Sequence, residues 1–378
     1  MVEKEYDLII HGATGFTGQL ICDYLYKHND SKAIKWAISG RNTSKLEPIS
    51  KKYNVDLFQV DSFENKALDL ITSKSKVIIS VVGPYAIYGK QLIESCVNNN
   101  CHYLDITGES SFVQYVKNKY SKKAIETNTM LISCCGFESI PPDIGTYYSI
   151  KQLNEENIDI KCYMKTKGQI SGGTWASFLN ISSSGRIKKK IQNNQPKKQG
   201  TKNKILFYNK ELKKWALIFP DIDQYIIRRS SKLIDGYGEN VRFVKYMLFK
   251  SLFKVAALLV PLFFILFLAK FKFSKKWLES FIPSGTGPSE EARAKHWFEY
   301  TLIGKTEKQK IITTVKGGDP GYGETSKFVT EMGLALILNK DQLNHKKGVL
   351  TPAACAGDVI LKRLQKSGIE FSHKTIKV

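Results

Sequence analysis

The stretch that decides the fold is Tyr6-Asp7-Leu8-Ile9-Ile10-His11 running directly into Gly12-Ala13-Thr14-Gly15-Phe16-Thr17-Gly18. A short apolar run is followed by glycines at spacings of three, and a helical pattern opens at Thr17. Strand, tight turn and helix in that order bring main-chain N–H groups and a helix N-terminus to one point, where a pyrophosphate can be held. Thr14 and Thr17 can add hydroxyl donors. The alternative is a tight turn that holds nothing.

Outward from this turn, the first 150 residues repeat the same rhythm. Ile34–Ser39, Val55–Val60, Lys76–Val82, Cys101–Ile106 and Thr129–Cys134 read as buried strands, with helical patterns between them such as Thr17–Lys27 and Lys90–Asn98. Continuous apolar runs alternating with helices predict an α/β fold built on a parallel sheet covered on both faces. Past Pro141-Pro142 the rhythm changes. Asp159–Ile170 and Lys308–Val315 read as strands, Gly172–Ile181, Glu324–Leu338 and Pro352–Lys366 as helices, and Arg186–Lys214 as a mobile loop. The predicted division is 1–150, a dinucleotide-binding domain; 151–345, an α+β substrate or dimerisation domain with a basic insertion at 186–214; and 346–378, a C-terminal helix returning to the first domain.

Specific residues are implied for the cofactor. Strand two ends in Ser39-Gly40-Arg41-Asn42, with no carboxylate to accept from a ribose 2′-hydroxyl. A guanidinium at Arg41 suits a 2′-phosphate, so NADP(H) is expected over NAD(H); the plainer reading is a solvated surface charge. Asp61 closes the third strand, as an adenine contact or a cap. Val82 and Gly83, in Val81-Val82-Gly83-Pro84-Tyr85, are expected to line the nicotinamide side. Gly12 through Gly18, Ser39, Arg41, Asn42, Asp61, Val82 and Gly83 make up the expected cofactor set.

Charge and hydropathy add a second theme. The 378-residue chain has a formal net charge of +22, yet residues 186–276 hold 22 Lys or Arg against five acids. Within that segment Val255–Ala269 carries no charge. Fifteen residues fall short of the ~20 that a straight spanning helix needs, and Pro261 would kink it. Lys245, Lys250 and Lys254 precede it; Lys270, Lys272, Lys275 and Lys276 follow. Charge on both sides favours a segment, 252–269, that enters and leaves one leaflet. A buried core helix and a true span are the alternatives. A mean hydropathy of −0.25 excludes a polytopic membrane protein. Phe207, Tyr208 and Trp215 among the lysines could stack on nucleic acid, but no nucleic-acid motif accompanies them. Seven scattered cysteines without CxxC or zinc spacing imply neither a metal site nor a disulfide framework. The polar start, Met1-Val2-Glu3-Lys4-Glu5, does not read as a signal peptide, so a cytosolic start is expected.

These residues resemble the saccharopine dehydrogenase-like oxidoreductases. The likeness rests on the glycine turn, on Val81–Tyr85 with Tyr88-Gly89, on His102-Tyr103-Leu104-Asp105-Ile106-Thr107-Gly108-Glu109, and on Cys135-Gly136-Phe137-Glu138-Ser139-Ile140-Pro141-Pro142-Asp143, where Glu138 replaces the family's usual Asp. Ser171–Thr174, Gly287–Glu291, Thr351–Ala353 and Gly357-Asp358 extend it to nearly the whole chain. The resemblance implies a variant Rossmann domain with an α+β partner, kinship with trans-acting enoyl reductases, and relatives on lipid droplets and membranes. The Arg groups that a saccharopine reductase needs for several carboxylates are not evident, so lysine metabolism is not expected.

Candidate catalytic groups are Tyr85, Asp105, Glu109 and Glu138, each with a structural alternative: packing for Tyr85, turn and cap chemistry for the acids. Four Tyr-xxx-Lys pairs (Tyr115/Lys119, Tyr147/Lys151, Tyr163/Lys167, Tyr246/Lys250) decide nothing in a chain with 18 Tyr. The expectation is an NADP-dependent oxidoreductase on a membrane or lipid-droplet surface, passing hydride to a carbonyl or conjugated C=C of a lipid-like substrate. The alternative is a lipid-surface protein that binds nucleotide without catalysis. A homodimer is left open.

Overall fold

A computed structural model describes residues 3–153, 155, 158–169, 175, 178–179, 203–238, 240–282, 286–344 and 346–377. Of the expected helix Gly172–Ile181 only Trp175, Phe178 and Leu179 are described, all three helical; the Ser171–Thr174 motif and residues 186–202 of the basic insertion lie outside the described residues.

The first half alternates as the apolar runs require: β1 (Tyr6–His11), α1 (Phe16–Lys27), β2 (Trp36–Gly40), α2 (Thr43–Tyr53), β3 (Asp56–Gln59), α3 (Asn65–Lys74), β4 (Ser75–Ser80), α4 (Tyr85–Asn98), β5 (His102–Asp105), α5 (Ser110–Glu126), β6 (Met130–Ile132) and α6 (Ile140–Leu153). β1 pairs in parallel with both β2 and β4, Ile9 facing Ala37 on one side and Ile78 on the other. Leu8, Ile9 and Ile10 are all fully buried, as strands covered on both faces must be.

The second half supplies β7 (Asp159–Lys167), β8 (Leu206–Asn209), β9 (Lys214–Ile218), α7 (Asp223–Leu233), β10 (Arg242–Phe249), α8 (Leu252–Leu268), α9 (Lys272–Ser280), α10 (Glu290–Ala294), β11 (Trp297–Lys305), β12 (Gln309–Gly317), α11 (Gly323–Leu338), β13 (Gly348–Leu350), α12 (Pro352–Lys366) and β14 (Glu370–Lys377). The parallel sheet runs β13-β6-β5-β4-β1-β2-β3, and a second sheet runs β14-β12-β11-β7-β10-β9-β8. The second sheet is mixed: β7 pairs in parallel with β10 and antiparallel with β11. Residues 206–214 are therefore not the loop expected of Arg186–Lys214: β8 and the start of β9 form a hairpin at a sheet edge, with Phe207 against Tyr246 supplying the apolar contact.

The expected domain limits are also crossed. α11 packs on the first sheet: Gly333 sits against Ile79 and Leu104, and Tyr24 of α1 donates to Glu331 at 2.5 Å. The C-terminal part is more than a returning helix. β13 extends the parallel sheet beside β6, α12 lies against α11 and α6, and β14 joins the second sheet along β12. The chain thus passes between its two sheets more than once, which fixes one against the other.

α8 contradicts the buried-core alternative. Of its residues only Val255 is buried; Phe253 is 81% exposed and Phe263 66%. Pro261 lies inside the helix, and no described helix is long and apolar enough to cross a membrane.

Candidate functional site: a cleft at the strand ends

The C-terminal ends of β1, β2, β3 and β4 open into a cleft of about 810 Å³, where a doubly wound sheet gathers its ligands. Its walls are built by the glycine turn. The N–H of Gly12 is tied to the Ser39 carbonyl at 2.8 Å, and Gly15 starts α1 with no side-chain cap. The first-turn N–H groups, which have no partner inside the helix, are left to serve an anion. A Cβ at Gly18 would lie 2.3 Å from the Gly12 carbonyl oxygen, so only glycine lets turn and helix approach this closely. Such a cradle fits a diphosphate.

At the end of β2, Arg41, Asn42 and Lys45 line the cleft. The Asn42 carboxamide oxygen accepts the Lys45 N–H at 3.1 Å and caps α2, so its side chain shapes the helix start. Arg41 and Lys45 are exposed there. Two cations beside a helix N-terminus oppose the helix dipole; a bound 2′-phosphate reverses that cost. Lys45 escaped the sequence reading, although a basic residue in a first turn was the available signal. Asp61 accepts the N–H of Phe63 at 2.9 Å, and Phe63 meets Tyr88 with ring centroids 5.4 Å apart, an aromatic rim on the same cleft. His11, between Ser39 Oγ (3.0 Å) and Ser62 Oγ (3.3 Å), is pushed down to about pKa 4 by burial and stands as a neutral wall.

The expected cofactor residues separate into two sets. Gly12, Thr14, Gly15, Phe16, Thr17, Gly18, Arg41, Asn42, Asp61, Val82 and Gly83 line the cleft. Ala13 and Ser39 are fully buried behind it and act by holding the turn to β2.

The four catalytic candidates meet different surroundings. Asp105 does not line the cleft. Fully buried, it accepts from the N–H groups of Thr107 and Cys134 (both 3.0 Å) and from Ser133 Oγ (2.9 Å), joining the ends of β5 and β6. Burial raises its pKa to about 6, against those hydrogen bonds. Glu109 accepts from the N–H groups of Tyr85 (2.7 Å) and Ala86 (3.0 Å), capping α4 from a distance. Tyr85 donates its hydroxyl to the Ser80 carbonyl at 3.2 Å and packs on Phe112; burial raises its pKa. Glu138 differs. Its side chain is solvent-accessible, yet it sits in the cleft with protein around it, against Gly108. That enclosure, then Asp221, raises its pKa, while Lys245 opposes the rise. Beneath it Lys245 Nζ donates to Asp221 and to Asp223, both at 2.6 Å, and Ser139 Oγ donates to Asp223 at 2.9 Å. A carboxyl that lines the cleft, is reached by solvent and has its pKa raised is a candidate for proton transfer.

Residues 8–132 match the family model of the saccharopine dehydrogenase NADP binding domain. A protein of Mycobacterium tuberculosis named as a trans-acting enoyl reductase is 28% identical, over 97% of this chain and 97% of its own. The human saccharopine dehydrogenase-like oxidoreductase is 28% identical over 98% of this chain and 97% of its own. A lipid droplet localized protein of Caenorhabditis elegans is 27% identical over 94% and 95%. Among solved structures, apo saccharopine dehydrogenase (L-Glu forming) of Saccharomyces cerevisiae superposes with a TM-score of 0.61 at 13% identity, covering 98% of this chain and 100% of that one, a likeness of fold. The matched domain is an NADP-binding one and the glycine cradle agrees with it, so the cofactor is NADP(H); over nearly its whole length the chain is similar to saccharopine dehydrogenase-like oxidoreductases.

Proposed function

We propose that this oxidoreductase uses NADP(H) to pass hydride to a carbonyl or conjugated C=C of an apolar, lipid-like substrate while seated on a membrane or lipid-droplet surface. The observation that carries the reading is the exposed pair α8–α9. Phe253, Phe263, Phe273 and Trp277 are 81%, 66%, 89% and 53% exposed, among Lys250, Lys254, Lys270 and Lys276. An apolar surface of this kind with cations around it suits an anionic lipid surface.

The cofactor, when bound, supplies the hydride. The glycine turn would hold its diphosphate, Arg41 and Lys45 its 2′-phosphate, and Phe63 with Tyr88 would border the adenine. Glu138 would hold the proton that balances the transferred hydride. Glu109, Tyr85 and Asp105 would serve by shaping the cleft. Among the described residues lining the cleft, Arg41 and Lys45 supply the cationic side chains, both at the ribose end. A substrate with several carboxylates would find no partner opposite, which favours an apolar one.

The test is the purified full chain with NADPH and liposomes containing phosphatidylserine. Flotation with the liposomes and NADPH oxidation on lipid enals or lipid ketones support the reading. Intact NADPH affinity with no oxidation across such a panel would favour a nucleotide-binding lipid-surface protein instead.

A further inference from the structure

The exposed helix pair and the cofactor cleft are in contact, through Phe178. Phe178 lines the same cleft as Glu138. Its ring stacks on Trp175 with centroids 5.9 Å apart, and both belong to an apolar cluster with Ile265 and Leu268 of α8, Ala269, and Leu278 of α9. Trp175 Nε1 donates to the Leu278 carbonyl at 2.6 Å, which fastens this cluster to the base of the pair. Away from the base the same two helices carry their exposed phenylalanines. Apolar side chains therefore run without interruption from the exposed surface of α8–α9, through its base, to the wall of the cleft.

We propose that the acyl part of the substrate passes along this seam, from the lipid surface past Ile265 and Leu268 to Phe178, without crossing water. The proposal rests on the reading of α8–α9 as a lipid-facing element. Its physical content is that an acyl chain keeps apolar contact throughout, so no methylene has to be exposed to water on the way. The seam also accounts for the placing of Phe178, an aromatic side chain that lines the cleft. At the end of β2 the cleft carries the exposed Arg41 and Lys45, which suit the entry of a nucleotide and not of a lipid. Cofactor and substrate would then enter from different ends.

The experiment uses the full chain, saturating NADPH and phosphatidylcholine–phosphatidylserine vesicles carrying a phospholipid with a diazirine at its acyl terminus. Irradiation followed by peptide mapping should label peptides of α8 and α9 and also the cleft peptides containing Phe178, Tyr88 or Glu138. Ile265→Glu places a carboxylate in the seam; because a charge there opposes an apolar chain, cleft labelling should fall by about tenfold or more while flotation and NADPH affinity persist. Leu268→Trp, which fills the seam and keeps it apolar, should give the same loss. Labelling confined to α8 and α9 in the unaltered chain overturns the seam and leaves the lipid-facing reading intact. Undiminished cleft labelling in both variants also overturns it. Failure of the unaltered chain to float overturns the lipid-facing reading, and the seam with it.

Discussion

Glu109 reaches across from the start of α5 to close the start of α4, its carboxylate taking the N–H of Tyr85 at 2.7 Å. The second oxygen takes the N–H of Ala86 at 3.0 Å. Two otherwise unpaired helix-start donors are satisfied by one buried acid, and the segment after β4 is thereby fixed as a wall of the cleft.

This makes Glu109 a stabilising residue before it is anything else. Glu109→Ala leaves both donors buried without a partner and should cost about 1–3 kcal/mol. Glu109→Gln, retaining one acceptor, should cost less. Urea unfolding of the two variants checks the order. A loss of turnover in Glu109→Gln with unfolding unchanged would place the residue in the chemistry instead.

Arg41 and Lys45 should separate the two pyridine nucleotides. Arg41→Glu replaces a phosphate partner by a repelling carboxylate and should weaken NADPH binding by about 2 kcal/mol or more, roughly thirtyfold. NADH, lacking the phosphate, should bind as before. Lys45→Ala should act in the same direction with a smaller effect. Titration calorimetry with both nucleotides reads this directly, and an equal loss for both would remove Arg41 from the selectivity argument.

These two cations also show where sequence reading stops. The glycine turn was legible because its causes are local: an apolar run, a tight turn, a helix start. The central parallel strands β1 and β4 were legible because Leu8-Ile9-Ile10 and Val77-Ile78-Ile79 are buried and read as unbroken apolar runs. β8, β13 and β14 were not. β13 has three residues, and β14, Glu370-Phe371-Ser372-His373-Lys374-Thr375-Ile376-Lys377, is largely exposed. Such edge strands owe their conformation to a neighbouring sheet, here β6 and β12, and not to a pattern of their own. The acids were readable as candidates but not by role. Asp105, Glu109 and Glu138 all follow strands of the same sheet, and only tertiary contacts separate a buried brace, a helix cap and a solvent-reached carboxyl. α11 was found as a helix, but nothing in its sequence tells which sheet it covers.

Asp143 gives a stability effect with a defined pH window. It is fully buried, accepting from Ser230 Oγ (2.7 Å) and the Ala353 N–H (2.9 Å), and burial raises its pKa to about 6. Between about pH 4 and pH 6 the folded chain holds a proton here that the unfolded chain has released, so this contribution is full below about 4 and is lost as pH rises. His11 and His102, both pushed down to about 4 by burial, act oppositely as pH rises toward 6.5. The absolute profile therefore mixes signs, and the difference between variant and parent isolates the residue. Asp143→Asn, measured against the parent by urea unfolding, should gain relative stability steadily from pH 4 to about 6 and level off above. A difference that stays flat across this window would mean that Asp143 is not held protonated by the fold.

The exposed phenylalanines of α8 and α9 carry the lipid-surface reading quantitatively. Phe253, Phe263 and Phe273, at 81%, 66% and 89% exposure, present nearly whole side chains to whatever covers them. Burying each in an acyl layer should contribute about 1.5–3 kcal/mol, so replacing all three by Ser should reduce vesicle partitioning by about 10³-fold or more. Replacing Lys275 and Lys276 by Gln should cost about 1 kcal/mol each on vesicles with phosphatidylserine and little on neutral ones. Neither change touches the cleft, so NADPH affinity should persist in both. Flotation across a salt series distinguishes the two contributions: the phenylalanine effect should be independent of salt and the lysine effect should fade as salt rises. A triple Ser variant that floats like the parent would show that α8 and α9 face something other than lipid, and the exposed apolar pair would then need a protein partner.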